Sequence, residues 1–274
     1  MTQLIDLDKI VSEVIQPKKK IAIGGGAMLL KPMEAIREII RQEKKDLHVI
    51  TLIGDLDIDL LVGVGAISEL HSSYVGLPMI GMAGNFRRVL EQEKTLTFHE
   101  WSECSMIRAF QGGAIGLPFV LIRTILGSDL VKIRPDFEEV TFQGKKYVQV
   151  PSIFPDIAII HAYAADSNGN VYYPKNHILD AFSTLPALCS DQLFVTVEKM
   201  ITREEAREIT DRLMFSYLDV DYISVVPNGA WPSGFPPFYA SDMGHLMTYS
   251  GISRNPDGFQ TYLEENVLKQ EGSQ

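Results

Sequence analysis

Apolar positions change their period along this chain. Ile5, Ile10, Val11, Val14 and Ile15 fall at near-helical spacing, which predicts an amphipathic helix over residues 4–15, ended by Pro17. A short apolar run follows, Ile21-Ala22-Ile23, with Lys18-Lys19-Lys20 before it and Gly24-Gly25-Gly26 after it. So short a run between breakers predicts a buried strand. Met33, Ile36, Ile39 and Ile40 return to helical spacing behind Pro32, a residue suited to a first helical turn. Glu34/Arg37 and Glu38/Arg41 pair at i,i+3 on the wet face. Val49 to Ile53 is the next apolar run and completes a strand–helix–strand crossover.

The alternation continues. Residues 95–99 predict a strand, and residues 103–113 a helix with Ser102 as its N-cap. Buried strands are expected at Ile157–Ile160, Leu193–Val197 and Tyr222–Val226. Thr202 and Glu205 have capping-box spacing ahead of a helix over 203–213. The predicted architecture is α/β: an open, mostly parallel sheet flanked by helices. One domain accounts for residues 1–274. Its part from about 227 to 274 is expected to be an irregular extension, because prolines, glycines and aromatics crowd residues 227–258 without a period. Such a segment either wraps its own domain or docks on another chain, and we expect it to help cover a partner.

Composition narrows the function classes. The formal charge is −10 and the chain has no basic stretch beyond Lys18–Lys20, so nucleic acid is not an expected partner. Two cysteines far apart, Cys104 and Cys189, make no disulfide framework and read as small buried residues. The N-terminal residues carry acids before bases and lack a long apolar core, which argues against a leader or a membrane span and for a cytoplasmic protein. The six histidines show no i,i+4 pairing, so no metal is expected.

The stretch from Ile21 to Ile40 looks like a phosphate-binding strand, loop and helix, but it fails both common templates. Leu29 stands where the third glycine of G-x-G-x-x-G would fall, and there is no G-K-[ST]. Three consecutive glycines ahead of a helix can still present amide groups to a carboxylate, a phosphate or an oxyanion. They can equally be a tight turn that lets the strand pack under its helix. After the strand ending at Ile160, His161 to Val171 places polar residues where open α/β sheets form ligand crevices. Asp166 and Asn168-Gly169-Asn170 also read as turn formers, and His161 as a hydrogen-bonded core histidine.

Four pieces together resemble the α subunits of family I coenzyme A transferases, the glutaconate CoA-transferase group. They are GGGAMLLKPMEAIREII (Gly24–Ile40), GGAIGLPFVLIRTILGSD (Gly112–Asp129), HAYAADSNGN (His161–Asn170) and VTVEKMI (Val195–Ile201), in the family's order and spacing. The resemblance implies the coenzyme A transferase fold. It also implies a chemistry in which a glutamate of a partner β subunit attacks an acyl-CoA and carries CoA to a second carboxylic acid. The expected partners are that β subunit in a hetero-oligomer, an acyl-CoA and a carboxylic acid. The CoA thioester is substrate, and no tightly bound cofactor is expected.

The resemblance also assigns residues. Gly24, Gly25 and Gly26 would face the active site shared with the partner and help polarise the thioester. Ser73 would bond a substrate carboxylate, or simply belong to a strand. Glu103 stands where a related branch, the steroid ring-opening hydrolases, has a catalytic acid. It is either a general base for water or an acid favoured at a helix start by the helix dipole. Arg108 and Arg123 are minor candidates as counter-charges, and Glu198 reads as a framework residue at a strand end. Three readings follow: α subunit of a CoA transferase, α subunit of a ring-opening thioester hydrolase with Glu103 as base, or a non-catalytic partner of the same fold.

Overall fold

The computed structural model describes residues 2–175 and 181–269. In chain order its strands are β1 (Gln3–Leu4), β2 (Lys20–Ile23), β3 (Leu47–Gly54), β4 (Ile67–Val75), β5 (Thr97–Glu100), β6 (Phe119–Ile122), β7 (Glu138–Phe142), β8 (Lys145–Pro151), β9 (Ile157–Asp166), β10 (Val171–Tyr172), β11 (Gln192–Ile201), β12 (Leu213–Phe215) and β13 (Tyr222–Val225). The helices are α1 (Leu7–Val14), α2 (Met33–Arg41), α3 (Leu56–Gly63), α4 (Gly84–Arg88), α5 (Glu103–Ala114), α6 (Leu130–Ile133), α7 (Ala181–Cys189), α8 (Arg203–Glu208), α9 (Met243–Ile252) and α10 (Pro256–Leu263).

The main sheet has the order β1-β13-β11-β9-β2-β3-β4-β5, with every neighbouring pair parallel. A smaller antiparallel sheet has the order β6-β8-β7. Successive strand residues face opposite sides. Ile21, Ile23, Ile157 and Ile159 therefore join a core with α1, α2, α3, α9 and α10. Ala22, Ala158, Ile160 and Ala162 face the other way, toward α7. Beside them, Ile50 and Leu52 pack against α5 and the small sheet. Both faces are covered, which is why the strands are continuous apolar runs rather than alternating ones.

Topology marks a candidate site. From β2 the chain moves outward to β3, β4 and β5, and from β9 it moves the other way to β11 and β13. The carboxyl ends of β2 and β9 therefore flank a topological switch point, where open sheets form ligand crevices. Gly24 follows β2, and His161 lies within β9, two residues past Ile159, the partner of Ile23.

Several elements differ from expectation. The opening helix is shorter, because Gln3 and Leu4 pair with β13 as β1. The helix expected over 203–213 stops at Glu208, and Leu213–Phe215 become β12, pairing with β10. β9 continues through Asp166, so His161 lies inside the strand and not in the turn after it. The extension holds two helices, α9 and α10, whose Leu246, Tyr249, Phe259 and Tyr262 fill the core beside α2. It wraps its own domain. Residues 270–274 of that expected extension lie outside the described residues.

Candidate functional site

The three glycines open a two-residue hairpin. Gly26 and Leu29 exchange both backbone hydrogen bonds at 3.0 Å. Between them Ala27 and Met28 have φ of 53° and 60°. Positive φ at both central residues is the mark of a type I′ turn, which favours Asn-Gly. Here alanine and methionine hold it, a strained arrangement of the kind that clusters at functional sites. Gly25 is obligatory: its φ is +72°, and a Cβ there would lie 2.5 Å from the Leu30 carbonyl oxygen.

The glycine amides, expected to polarise a thioester, are engaged within the chain. Gly24 N–H donates to Ile159 O at 2.9 Å and Gly26 N–H to Leu29 O at 3.0 Å. Gly25 N–H donates to the buried Ser183 hydroxyl at 3.0 Å. All three are spent inside the protein, because a buried amide without an acceptor is costly. The glycines build the turn and bring Gly26 and Ala27 to the cavity beside it.

Buried charge supports this hairpin from below. Met28 N–H donates to Asp55 Oδ2 at 2.8 Å. Lys31, one residue past Leu30, pairs with Asp57 and donates to Ile53 O at 2.6 Å. Burial pushes the Asp55 carboxyl well above its ordinary pKa, against the pull of Lys31.

A cavity lies between the hairpin, the ends of β9 and the extension. Its lining includes Leu29, Leu30, Phe182, Met214, Phe235 and Pro236, with His161 and Tyr163 from β9. Its volume is about 110 Å³. The extension closes it by direct bonds to the hairpin. Leu30 N–H donates to Gly234 O at 2.8 Å, and Gly234 N–H to Met28 O at 2.9 Å.

Glu198 ties the same extension to the sheet. Its Oε1 accepts from Tyr239 at 2.5 Å and contacts His161 Nε2 at 2.8 Å, while Oε2 accepts Asn228 N–H at 2.7 Å. His161 is 1% exposed and its other nitrogen contacts Thr196 Oγ1 at 2.8 Å. Burial pushes the Glu198 carboxyl up, but the bonds from His161, Tyr239 and Asn228 outweigh it and hold the pKa below the ordinary value. Burial and Glu198 together push the Tyr239 phenol far up, so the proton stays on Tyr239. Gly229 is required here, since a Cβ would lie 2.8 Å from His161 Cε1.

The remaining sequence candidates separate into other places. The Ser73 hydroxyl donates to Leu52 O on the neighbouring strand. Glu103 is exposed on the first turn of α5, behind the Ser102–Ser105 capping box. Trp101 N–H donates to Ser72 O at 3.1 Å, so the start of α5 and the end of β4 adjoin. Ser73 and Glu103 thus share one end of the sheet, but β3 separates their strand from the glycine hairpin. Arg108 and Arg123 line a different groove, against β6, together with a half-buried Cys104. Cys189 is buried. Asp166 builds its turn, accepting from Asn168, Asn170 and Tyr172.

One cluster escaped the sequence. Glu69, His71 and His99 bring one ligand atom each within 4.8 Å of one another. A metal fits them poorly. The His71 and His99 rings stack at 4.2 Å and 16°, which makes their lone pairs parallel rather than convergent. Trp101 Nε1–H, a donor only, points at His71 Nδ1 at 3.2 Å, so Nε2 carries the proton and donates to Glu69 at 2.9 Å. Metal-bound imidazoles present the opposite pattern, with the free nitrogen donating outward.

Comparison with known proteins shows the family. The coenzyme A transferase family profile matches residues 4–225. The A subunit of 3-oxoadipate CoA-transferase from Pseudomonas knackmussii is 30% identical over 271 residues, covering 97% of this chain and 94% of that one. The crystal structure of glutaconate coenzyme A-transferase from Acidaminococcus fermentans superposes with a TM-score of 0.92 at 25% identity, covering 98% of this chain and 90% of that one. The fold expected from the resemblance is thus the fold observed. The cholesterol ring-cleaving hydrolase IpdA subunit of Rhodococcus jostii is 24% identical over 269 residues, covering 94% of this chain and 90% of that one.

Proposed function

The chain belongs to the coenzyme A transferase family, and from that premise we propose that it is the A subunit of a two-chain transferase that moves CoA between carboxylic acids. The observation that carries this reading is its near full-length likeness to the A subunit of 3-oxoadipate CoA-transferase. The cavity at the switch point supports it. The described residues around that cavity supply no carboxylate, which fits an attacking glutamate on the B subunit.

The reaction then divides into acyl exchanges. The partner's glutamate attacks the thioester carbonyl and CoA leaves as thiolate, giving a mixed anhydride. The thiolate attacks the glutamyl carbonyl of the anhydride, which releases the first acid and leaves glutamyl-CoA. The second acid attacks that thioester, and the returning thiolate takes the new acyl group and frees the glutamate. No electron leaves the system, so CoA thioesters and carboxylates suffice without a bound redox cofactor. This chain's share is to seat the acyl group beside the hairpin and keep water from the anhydride. The pair works in the cytoplasm, where two unpaired thiols stay reduced.

The test is co-expression with a B subunit from the same genome. The expected result is a stable complex that exchanges CoA between an acyl-CoA and a free acid. Borohydride added after the acyl-CoA should inactivate the B subunit's glutamate. Turnover by this chain alone would refute the division of labour. The likeness to the ring-cleaving hydrolase subunit and the exposed Glu103 favour a second reading, in which Glu103 activates water. A B subunit without the glutamate would select it.

A further inference from the structure

We propose that Phe235 is the residue that sets acyl-chain length, that Glu198 positions it, and that the acyl group it measures is a short uncharged hydrocarbon chain. This rests on the transferase reading above and deepens it.

Phe235 is 2% exposed and lines the cavity together with Leu29, Leu30 and Phe182. Its ring meets His161 edge-on at 5.2 Å and lies parallel to Phe238 at 5.7 Å. Both flanks are fixed. On one side Gly234 is bonded to Met28 and Leu30 of the hairpin. On the other, Phe235 N–H donates to Tyr239 O at 2.9 Å, and the Tyr239 hydroxyl donates to Glu198. Glu198 also takes the Asn228 amide, where the extension leaves the sheet. One carboxylate thus holds both ends of the segment that carries Phe235, while His161 backs the ring. A wall held so firmly does not yield to one extra methylene without displacing packed groups.

The lining also chooses the chemistry. Among the described residues that line it, the polar side chains are His161, Tyr163 and Tyr173, none of them a lysine or arginine that would pair with a carboxylate by default, and both nitrogens of His161 are already engaged. A second carboxylate on the acyl chain would shed its water against aliphatic and aromatic groups without a cation to replace it. The cavity therefore favours a monocarboxylic acyl group over a dicarboxylic one of the same length.

The experiment uses the complex with its B subunit and the donors butyryl-, hexanoyl-, octanoyl- and glutaryl-CoA, measuring both kcat/KM for transfer and equilibrium affinity. Wild type should favour the shorter chains and use hexanoyl-CoA at least about tenfold better than glutaryl-CoA. Phe235→Ala should raise the octanoyl-to-butyryl ratio by about tenfold or more, and Phe235→Leu should shift it in the same direction with less risk to folding. Tyr239→Phe, which removes the donor, should shift the same ratio through KM, whereas Glu198→Gln as a separate single variant should keep part of the wild-type profile, because its amide oxygen still accepts from Tyr239. Equal losses at every chain length would mean a structural role only and overturn the proposal. So would glutaryl-CoA used as well as hexanoyl-CoA. A complex that transfers nothing, yet whose acyl-CoA affinities shift with Phe235, would sink the transferase reading and keep this one. Affinities indifferent to Phe235 would sink this one whatever the transfer rates.

Discussion

Lys31 and Asp57 form an ion pair 2.9 Å long with neither side chain exposed. The pair is the last support in a chain of contacts to the cavity. Asp57 Oδ1 accepts the Asp55 amide at 2.7 Å, and Asp55 accepts the Met28 amide inside the strained hairpin. Removing one member of a buried pair strands the other charge. Lys31→Met leaves Asp55 and Asp57 facing each other in the core and should cost about 3–5 kcal/mol. Asp57→Asn added to it should recover about 1 kcal/mol or more, because the two sites share one interaction. Urea unfolding measures both. An unchanged midpoint in the single variant would mean that the pair contributes nothing net.

The Ala27–Met28 turn stores strain that a single change can release. Ala27 is exposed, so its substitution disturbs no packing, whereas Met28 is buried in the core. Ala27→Gly removes the Cβ penalty of a left-handed residue and should raise stability by about 1 kcal/mol. It should also lower kcat, because the freed tip no longer fixes the lip of the acyl cavity. Thermal unfolding and the transfer assay read the two effects. A variant that is more stable and fully active would show that the strain has no part in the reaction.

His71 makes stability depend on pH in a defined window. Burial is the largest cause and brings its pKa down to about 4, against the raising effect of Glu69. The unfolded chain takes up this proton near pH 6.5, and the folded chain only near 4. Between those values the unfolded state binds more protons, so stability falls as pH drops from 6.5 to 4. The contribution is on the order of 3 kcal/mol across that window. Glu69, whose pKa is lowered, adds a loss in the same direction at still lower pH. Urea midpoints from pH 7 to pH 4 should fall, and His71→Gln should flatten the slope. A slope unchanged in that variant would assign the effect elsewhere.

The sheet was legible because β2, β3, β9 and β11 are buried on both faces, and that shows as unbroken apolar runs between breakers. The Ser102 cap and the Thr202–Glu205 box were legible because capping is local. The candidate site was legible only in part. The glycines mark the turn, yet no sequence pattern says where their amides point. Glu198 and His161 lie 37 residues apart and meet because β9 and β11 pair in parallel, with His161 opposite Thr196. His71 and His99 stack for the same reason, opposite each other on β4 and β5. A strand's side-chain partners come from its neighbours, and neighbour identity is set by topology, not by spacing. The helices of the extension were hidden because their polar and apolar residues follow a core made by α2, α3 and the sheet.

Glu103 divides the transferase from the hydrolase, and the structure indicates what its substitution should do. The side chain is exposed at the start of α5, and it makes no hydrogen bond or ion pair with the described residues. Its position is favourable by charge alone, since an acid in a helix's first turn meets the positive end of the dipole. In the transferase reading that is its whole contribution. Glu103→Gln should then cost no more than about 0.5 kcal/mol and leave CoA exchange within about threefold of wild type. A general base behaves otherwise. Replacing it by an amide removes the acceptor of water's proton and lowers the rate by about 10²–10⁴, without changing acyl-CoA affinity in proportion. Rates of CoA exchange and of thioester hydrolysis, measured on one preparation of the complex, separate the cases. Loss of hydrolysis by two orders of magnitude with affinity intact would move this chain from the transferases to the ring-opening hydrolases. The cavity beside the glycine hairpin would then be a wall of the site rather than its centre, because β3 lies between the hairpin and the strand that leads to Ser73.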